Sequence, residues 1–146
     1  MHTVQAIAVV IANPQDASLV LIVRGPEDDD DLPGIWGLSA TSIKLDESDA
    51  HTAHRLRTRK LGAELTLNAV LAEGNQDRRT YQLAMRLYTA SHWAPAPQLP
   101  EPENHIDDST YYTEWKWAPR DSLREGARME SLCCQLTLQS NQQESV

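Results

Sequence analysis

The chain predicts an α/β (α+β) fold in which a mixed β-sheet lies between helices, built as one domain over residues 1–140 with 141–146 as a frayed tail. Three observations lead there. Two apolar runs stand close together at the start, a segment with helical spacing follows them, and further aliphatic runs then precede a last helical pattern. A length of 146 residues suits a single core that needs no covalent staples.

The elements follow in order. "TVQAIAVVIA" is apolar without alternation, as a strand buried on both faces should be, and "SLVLIVRG" reads as its antiparallel partner across the turn-rich "NPQDA". "PEDDDDLPG" is a loop by its Pro, Gly and charge, and the short apolar "IWGLSA" and "SIKL" come after it. Asp46, Glu47, Ser48 and Asp49 make an acidic helix start, Ala50, Ala53 and Leu56 recur at helical spacing, and Gly62 supplies the stop. "AELTLNAVLAEG" and "RTYQLAMRLYTASHW" read as strands with a turn at "GNQD". "APAPQLPEPENHIDDS" carries Pro95, Pro97, Pro100 and Pro102 and predicts a long loop. "TYYTEWKWAP" alternates, which sets Tyr111, Thr113, Trp115 and Trp117 on one face and Tyr112, Glu114 and Lys116 on the other. One final helix should start near Pro119 to Asp121 and run through "SLREGARMESLCCQLTL".

Charge and composition narrow the function. A net charge of -8 argues against a nucleic-acid polymer or an anionic membrane as partner. The early run "AIAVVIA" is too short to span a bilayer, and the opening lacks the order of a secretory leader. Cys133 and Cys134 are adjacent in a helical pattern that does not favour a bridge, so reduced thiols in a cytoplasmic protein are expected. Against this acidic background "HRLRTRKLG", His54 to Gly62, holds Arg55, Arg57, Arg59 and Lys60 and no acid.

Taken together, "LPGIWGLSATSIKLDES", "HRLRTRKLG" and "EWKWAPRDSL" resemble the Nudix hydrolase family. The family signature runs Gly, five residues, Glu, seven residues, then Arg, Glu, an aliphatic, any residue, two Glu, any residue, Gly and an aliphatic. Glu47, Arg55 and Gly62 match it. Thr41 stands for the first Gly, Leu56 for the first helix Glu, Arg57 for the aliphatic, and Arg59 and Lys60 for the Glu pair, so the signature is degenerate. Trp36 matches a Trp common in the family, and the "EWKWAPRDSL" ending matches as well.

The resemblance implies that helix carboxylates would hold divalent cations on a substrate diphosphate. Leu, Arg and Lys offer no hard oxygen ligand, and Arg59 and Lys60 would repel a cation at their positions. They can instead bind an anion directly, because Arg takes phosphate bidentately and Lys takes it as a point charge. The expectation is therefore a binder of a nucleotide or other phosphorylated small molecule, with metal-dependent diphosphate hydrolysis lost or weakened. Arg55, Arg59 and Lys60 are the expected phosphate contacts, Trp36 the ligand contact, and Glu47 and Glu114 the candidate catalytic acids. No cofactor is expected, and Mg²⁺ or Mn²⁺ would enter only with residual hydrolase activity. The resemblance also admits a homodimer paired through strands.

Plainer alternatives stand beside each of these. The basic run can be a solvated face that complements the helix dipole, with Arg57 snorkelling or the helix rotated. Glu47, His51 and His54 share helical spacing and could offer a transition metal three ligands, yet a first-turn acid with two exposed histidines explains them as well. The run Glu27 to Asp31 has no calcium-loop spacing. Trp115 and Trp117 read as core packing, as do Cys133 and Cys134. A hydrolase with its metal on other acids, and a protein-interaction domain with no small-molecule site, are the two rival functions.

Overall fold

The computed structural model describes residues 2–24, 34–56, 64–93 and 112–144. Its first two strands are β1 (His2–Asn13) and β2 (Asp16–Arg24), the expected antiparallel hairpin. The turn between them is held by Asn13, whose side-chain oxygen accepts from the amides of Gln15 and Asp16. Short strands β3 (Trp36–Gly37) and β4 (Ser39–Ser42) follow, then α1 (Asp49–Leu56). Next come β5 (Glu64–Asp77), β6 (Tyr81–Trp93) and β7 (Glu114–Pro119).

These strands form one seven-stranded mixed sheet in the order β3-β2-β1-β6-β5, with β4 beside β1 and β7 beside β2. β1 is its centre and runs parallel to β6 from His2↔Tyr81 to Ile11↔Ala90. Such a parallel pair needs a crossover, and the chain between β4 and β5 contains α1. Buried on both sides, Ala6 to Ile11 are each at most 5% exposed, as an apolar run without alternation requires.

Alternation assigns the two cores. Ala6, Ala8, Val10, Val20, Ile22 and Ala118 face Leu132, Cys133, Cys134 and Leu136. Val9, Ile11, Leu21 and Val23 face Leu56 of α1, together with Ala90 and Tyr112. Helices therefore cover both faces of the sheet, which is the layering that the sequence predicts.

Several local expectations are corrected. The single terminal helix is a 3-10 turn (Arg120–Leu123) followed by α2 (Arg124–Arg128) and α3 (Leu132–Glu144). Its break is a Schellman-type stop: Ser131 N–H donates to Gly126 O at 2.9 Å and Glu130 N–H to Ala127 O at 3.1 Å, with Glu130 at φ 68° in place of the usual Gly. The β5–β6 turn lies at Arg78–Thr80 and not at "GNQD". Packing overrides the turn-like composition there, since a Cβ on Gly74 would stand 2.9 Å from Leu136 and Gln76 donates to Glu130 O. Tyr112 precedes β7, so the alternation does not reach it. It joins Trp115 and Trp117 on the α1 face, and its hydroxyl exchanges hydrogen bonds with the Ala40 N–H and C=O. The part of the basic run beyond Leu56, the acidic loop and the proline-rich segment lie outside the described residues.

Among the described residues no helix is long and apolar enough to cross a membrane.

Candidate functional site

Glu47 and Arg55, the two charged signature matches, meet each other. Asp46 at φ 64° turns the chain into α1, Asp being one of the residues that tolerate that region. Ser48 then caps the helix by accepting from His51 N–H at 3.1 Å. Eight residues after Glu47, Arg55 donates to it through Nε (3.0 Å, to Oε2) and Nη2 (3.0 Å, to Oε1), a bidentate fork. Thr52 Oγ1 and the Lys44 N–H donate to Oε1 as well, at 2.7 and 3.0 Å. Arg55 also reaches Thr41 Oγ1 and Ser42 O, which locks α1 to β4. The side chains are only 6% and 11% exposed. Arg55, with help from the other donors, pulls the Glu47 carboxyl down to about 2 against the opposing effect of burial.

Next along the signature, Leu56 stands where the family carries a Glu. It is 0% exposed and packs in the core of Val9, Ile11, Leu21, Val23 and Tyr112, flanked by Trp115 and Trp117. Arg59 and Lys60 lie outside the described residues.

A second ionic cluster, not foreshadowed by any motif, ties the start of α1 to β6. Arg86 donates to Asp49 through Nε (2.7 Å) and Nη2 (2.6 Å), and Tyr88 Oη donates to the same carboxylate. Arg86 above all holds the Asp49 carboxyl below its usual range, and Asp49 raises the Tyr88 hydroxyl. Arg86 and Tyr88 share one face of β6, but Asp49 lies more than thirty positions before them, so no spacing rule joins it to the pair.

Trp36 and Glu114 share another place, the end of β2. Arg24 pairs in register with Trp36 on one side and with Glu114 on the other. Its guanidinium bonds Glu114 at 2.7 Å, in a pair whose side chains are 32% and 48% exposed. The Trp36 ring has Lys116 Nζ 4.4 Å and the Arg24 guanidinium 5.3 Å from its centroid. Trp36, Thr113, Glu114, Trp115 and Lys116 line a cleft of about 570 Å³ here. Behind it Gly126 allows close approach, because a Cβ there would sit 2.7 Å from Cys134 Sγ and 3.1 Å from Trp36 O.

None of these three arrangements suits the divalent cation that the family signature implies. Among the described residues no group of three or more His, Cys, Asp and Glu side chains converges. Glu47 is engaged by Arg55, Glu114 by Arg24, and His51 and His54 are exposed on α1.

No family model matches the sequence, and no curated protein matches it. Solved structures do. A MutT protein from Methanosarcina mazei Go1 superposes with TM-score 0.74 at 12% identity, covering 99% of this chain and 97% of its own. A Nudix hydrolase from Nitrosomonas europaea gives 0.71 at 11%, with 97% and 90% covered. An ADP-ribose pyrophosphatase from Streptococcus suis gives 0.59 at 11%, with 81% and 75% covered. With this likeness over nearly the whole chain, a mixed sheet between helices and Glu47 joined to Arg55 at two signature positions, the fold of this protein is that of the Nudix hydrolases.

Proposed function

We propose that this chain is a Nudix-fold binder of a nucleotide or other phosphorylated small molecule, in which the usual metal-dependent diphosphate hydrolysis is lost or weakened. The observation that carries the reading is Leu56. A fully buried aliphatic side chain replaces a carboxylate, and an aromatic core closes around it. The one retained signature acid, Glu47, spends its oxygens on Arg55, Thr52 and the Lys44 amide. A group held that far below the usual carboxylate range is a poor base at neutral pH.

Arg55 has committed three nitrogens within the fold and is better read as a positioning residue. Anion binding then falls to Arg59 and Lys60, whose charges suit phosphate oxygens as they oppose a cation. The buried free thiols of Cys133 and Cys134 accord with a reducing cytoplasmic setting.

The test is thermal melting against nucleotides, nucleotide sugars, dinucleotides and inorganic pyrophosphate, each with Mg²⁺, with Mn²⁺ and with chelator. A ligand specific to the folded state raises the midpoint. Stabilisation that persists in chelator and falls with Arg59→Glu and Lys60→Glu is expected. Stabilisation abolished by chelator would favour a working hydrolase with its metal on other acids. Silence across the panel would favour a protein-interaction domain.

A further inference from the structure

The cleft at the end of β2 is unevenly charged. Glu114 neutralises Arg24, whereas Lys116 makes no ion pair among the described residues. Its ammonium rests instead 4.4 Å from the centroid of the Trp36 ring. Lys116 stands opposite Ile22 and Trp36 opposite Arg24, so the indole and the ammonium meet across β2. An exposed lysine on a half-buried indole is weakly held, more weakly than an ammonium on a phosphate oxygen. An arriving anion can therefore draw Lys116 off the ring and leave an indole face open. The cleft, about 570 Å³, is shallow and open to solvent.

We propose that this cleft binds a ligand carrying a planar ring next to a phosphate, with the ring stacked on Trp36 and the phosphate held by Lys116. The inference rests on the phosphate-ligand reading above and deepens it. It assigns the ring and its nearest phosphate to β3 and β7.

The test uses the full chain and three probes: adenosine 5′-monophosphate, adenosine and ribose 5-phosphate, titrated by calorimetry and by tryptophan fluorescence. The monophosphate should bind about tenfold or more tightly than either fragment, and Lys116→Glu should cost it about tenfold. Lys116 is exposed, so that variant should keep the parent melting temperature. Trp36→Phe should remove most of the fluorescence change while retaining part of the affinity. Arg59→Glu with Lys60→Glu should weaken pyrophosphate more than it weakens the monophosphate. Monophosphate binding that survives Lys116→Glu but is lost with the Arg59 and Lys60 changes overturns this inference and leaves the phosphate-ligand reading standing. No binding of the monophosphate, with pyrophosphate still bound, does the same. Silence from both removes the two together.

Discussion

Two acid–arginine pairs occupy opposite situations in this molecule. Glu47 and Arg55 are almost sealed, at 6% and 11% exposure, and share their atoms with Thr41, Ser42, Thr52 and Lys44. Arg24 and Glu114 form a shorter contact, 2.7 Å against 3.0 Å, yet lie about one-third and one-half exposed. Distance alone would rank the second pair higher. Desolvation and the number of supporting hydrogen bonds reverse that order, so the first pair is architecture and the second an adjustable wall of a cleft.

The sharpest way to break the comparison is Leu56→Glu, which restores the family residue inside the closed core. It should cost about 4 kcal/mol or more in a urea titration, and should not create divalent-dependent turnover. A stable variant that gains Mg²⁺-dependent activity would refute the account of α1.

Removing Arg55, as Arg55→Ala, leaves Glu47 with a carboxylate and no counter-charge. A loss of about 3 kcal/mol is expected, whereas Glu114→Gln should change stability by less than about 1 kcal/mol. Equal losses in the two urea titrations would erase the distinction between the pairs.

Acid sharpens it further. Because the folded Glu47 carboxyl is depressed from 4.5 to about 2, its contribution is fully present above pH 4.5 and disappears as the pH falls towards 2. Asp49, depressed by Arg86, adds loss in the same direction from its own ordinary value of 3.8 downward. Glu47→Gln should flatten the upper part of this acid limb, and a limb of unchanged slope would show that Glu47 is not its source.

Smaller again, Asp49→Asn should cost about 1–2 kcal/mol by weakening the bonds from Arg86 and Tyr88, read in the same titration. A value near zero would make that cluster a bystander.

What the sequence disclosed and what it withheld divide along a physical line. Local pattern marks the β1–β2 hairpin, the later strand pair and a helix after the acidic stretch Asp46–Asp49, of which only Asp49 lies in α1, since those depend on neighbours in the chain. The stop at Glu130 escaped because a non-glycine residue at positive φ breaks the rule that marks helix ends. The displaced β5–β6 turn is hidden from local pattern because Leu136, far along the chain, governs the packing of Gly74. At the cleft, the family resemblance points to Trp36 and Glu114; the alternation of Lys116 with Glu114 is visible in the sequence, whereas its meeting with the indole across β2 is not. The Glu47–Arg55 fork spans eight residues across a turn and a helix start, beyond the reach of same-helix spacing, and only the family signature marked both ends.

The contact between Gly126 and Cys134 acts on the cleft from behind. It works as a doorstop: the absence of one carbon lets the elbow between α2 and α3 close against the backbone of Trp36. Anything larger at Gly126 would have to lift that backbone or shift the thiol, and the indole would be displaced at its root. The shape of the cleft on the outer side is thus set by a gap on the inner side, at a residue that does not line it.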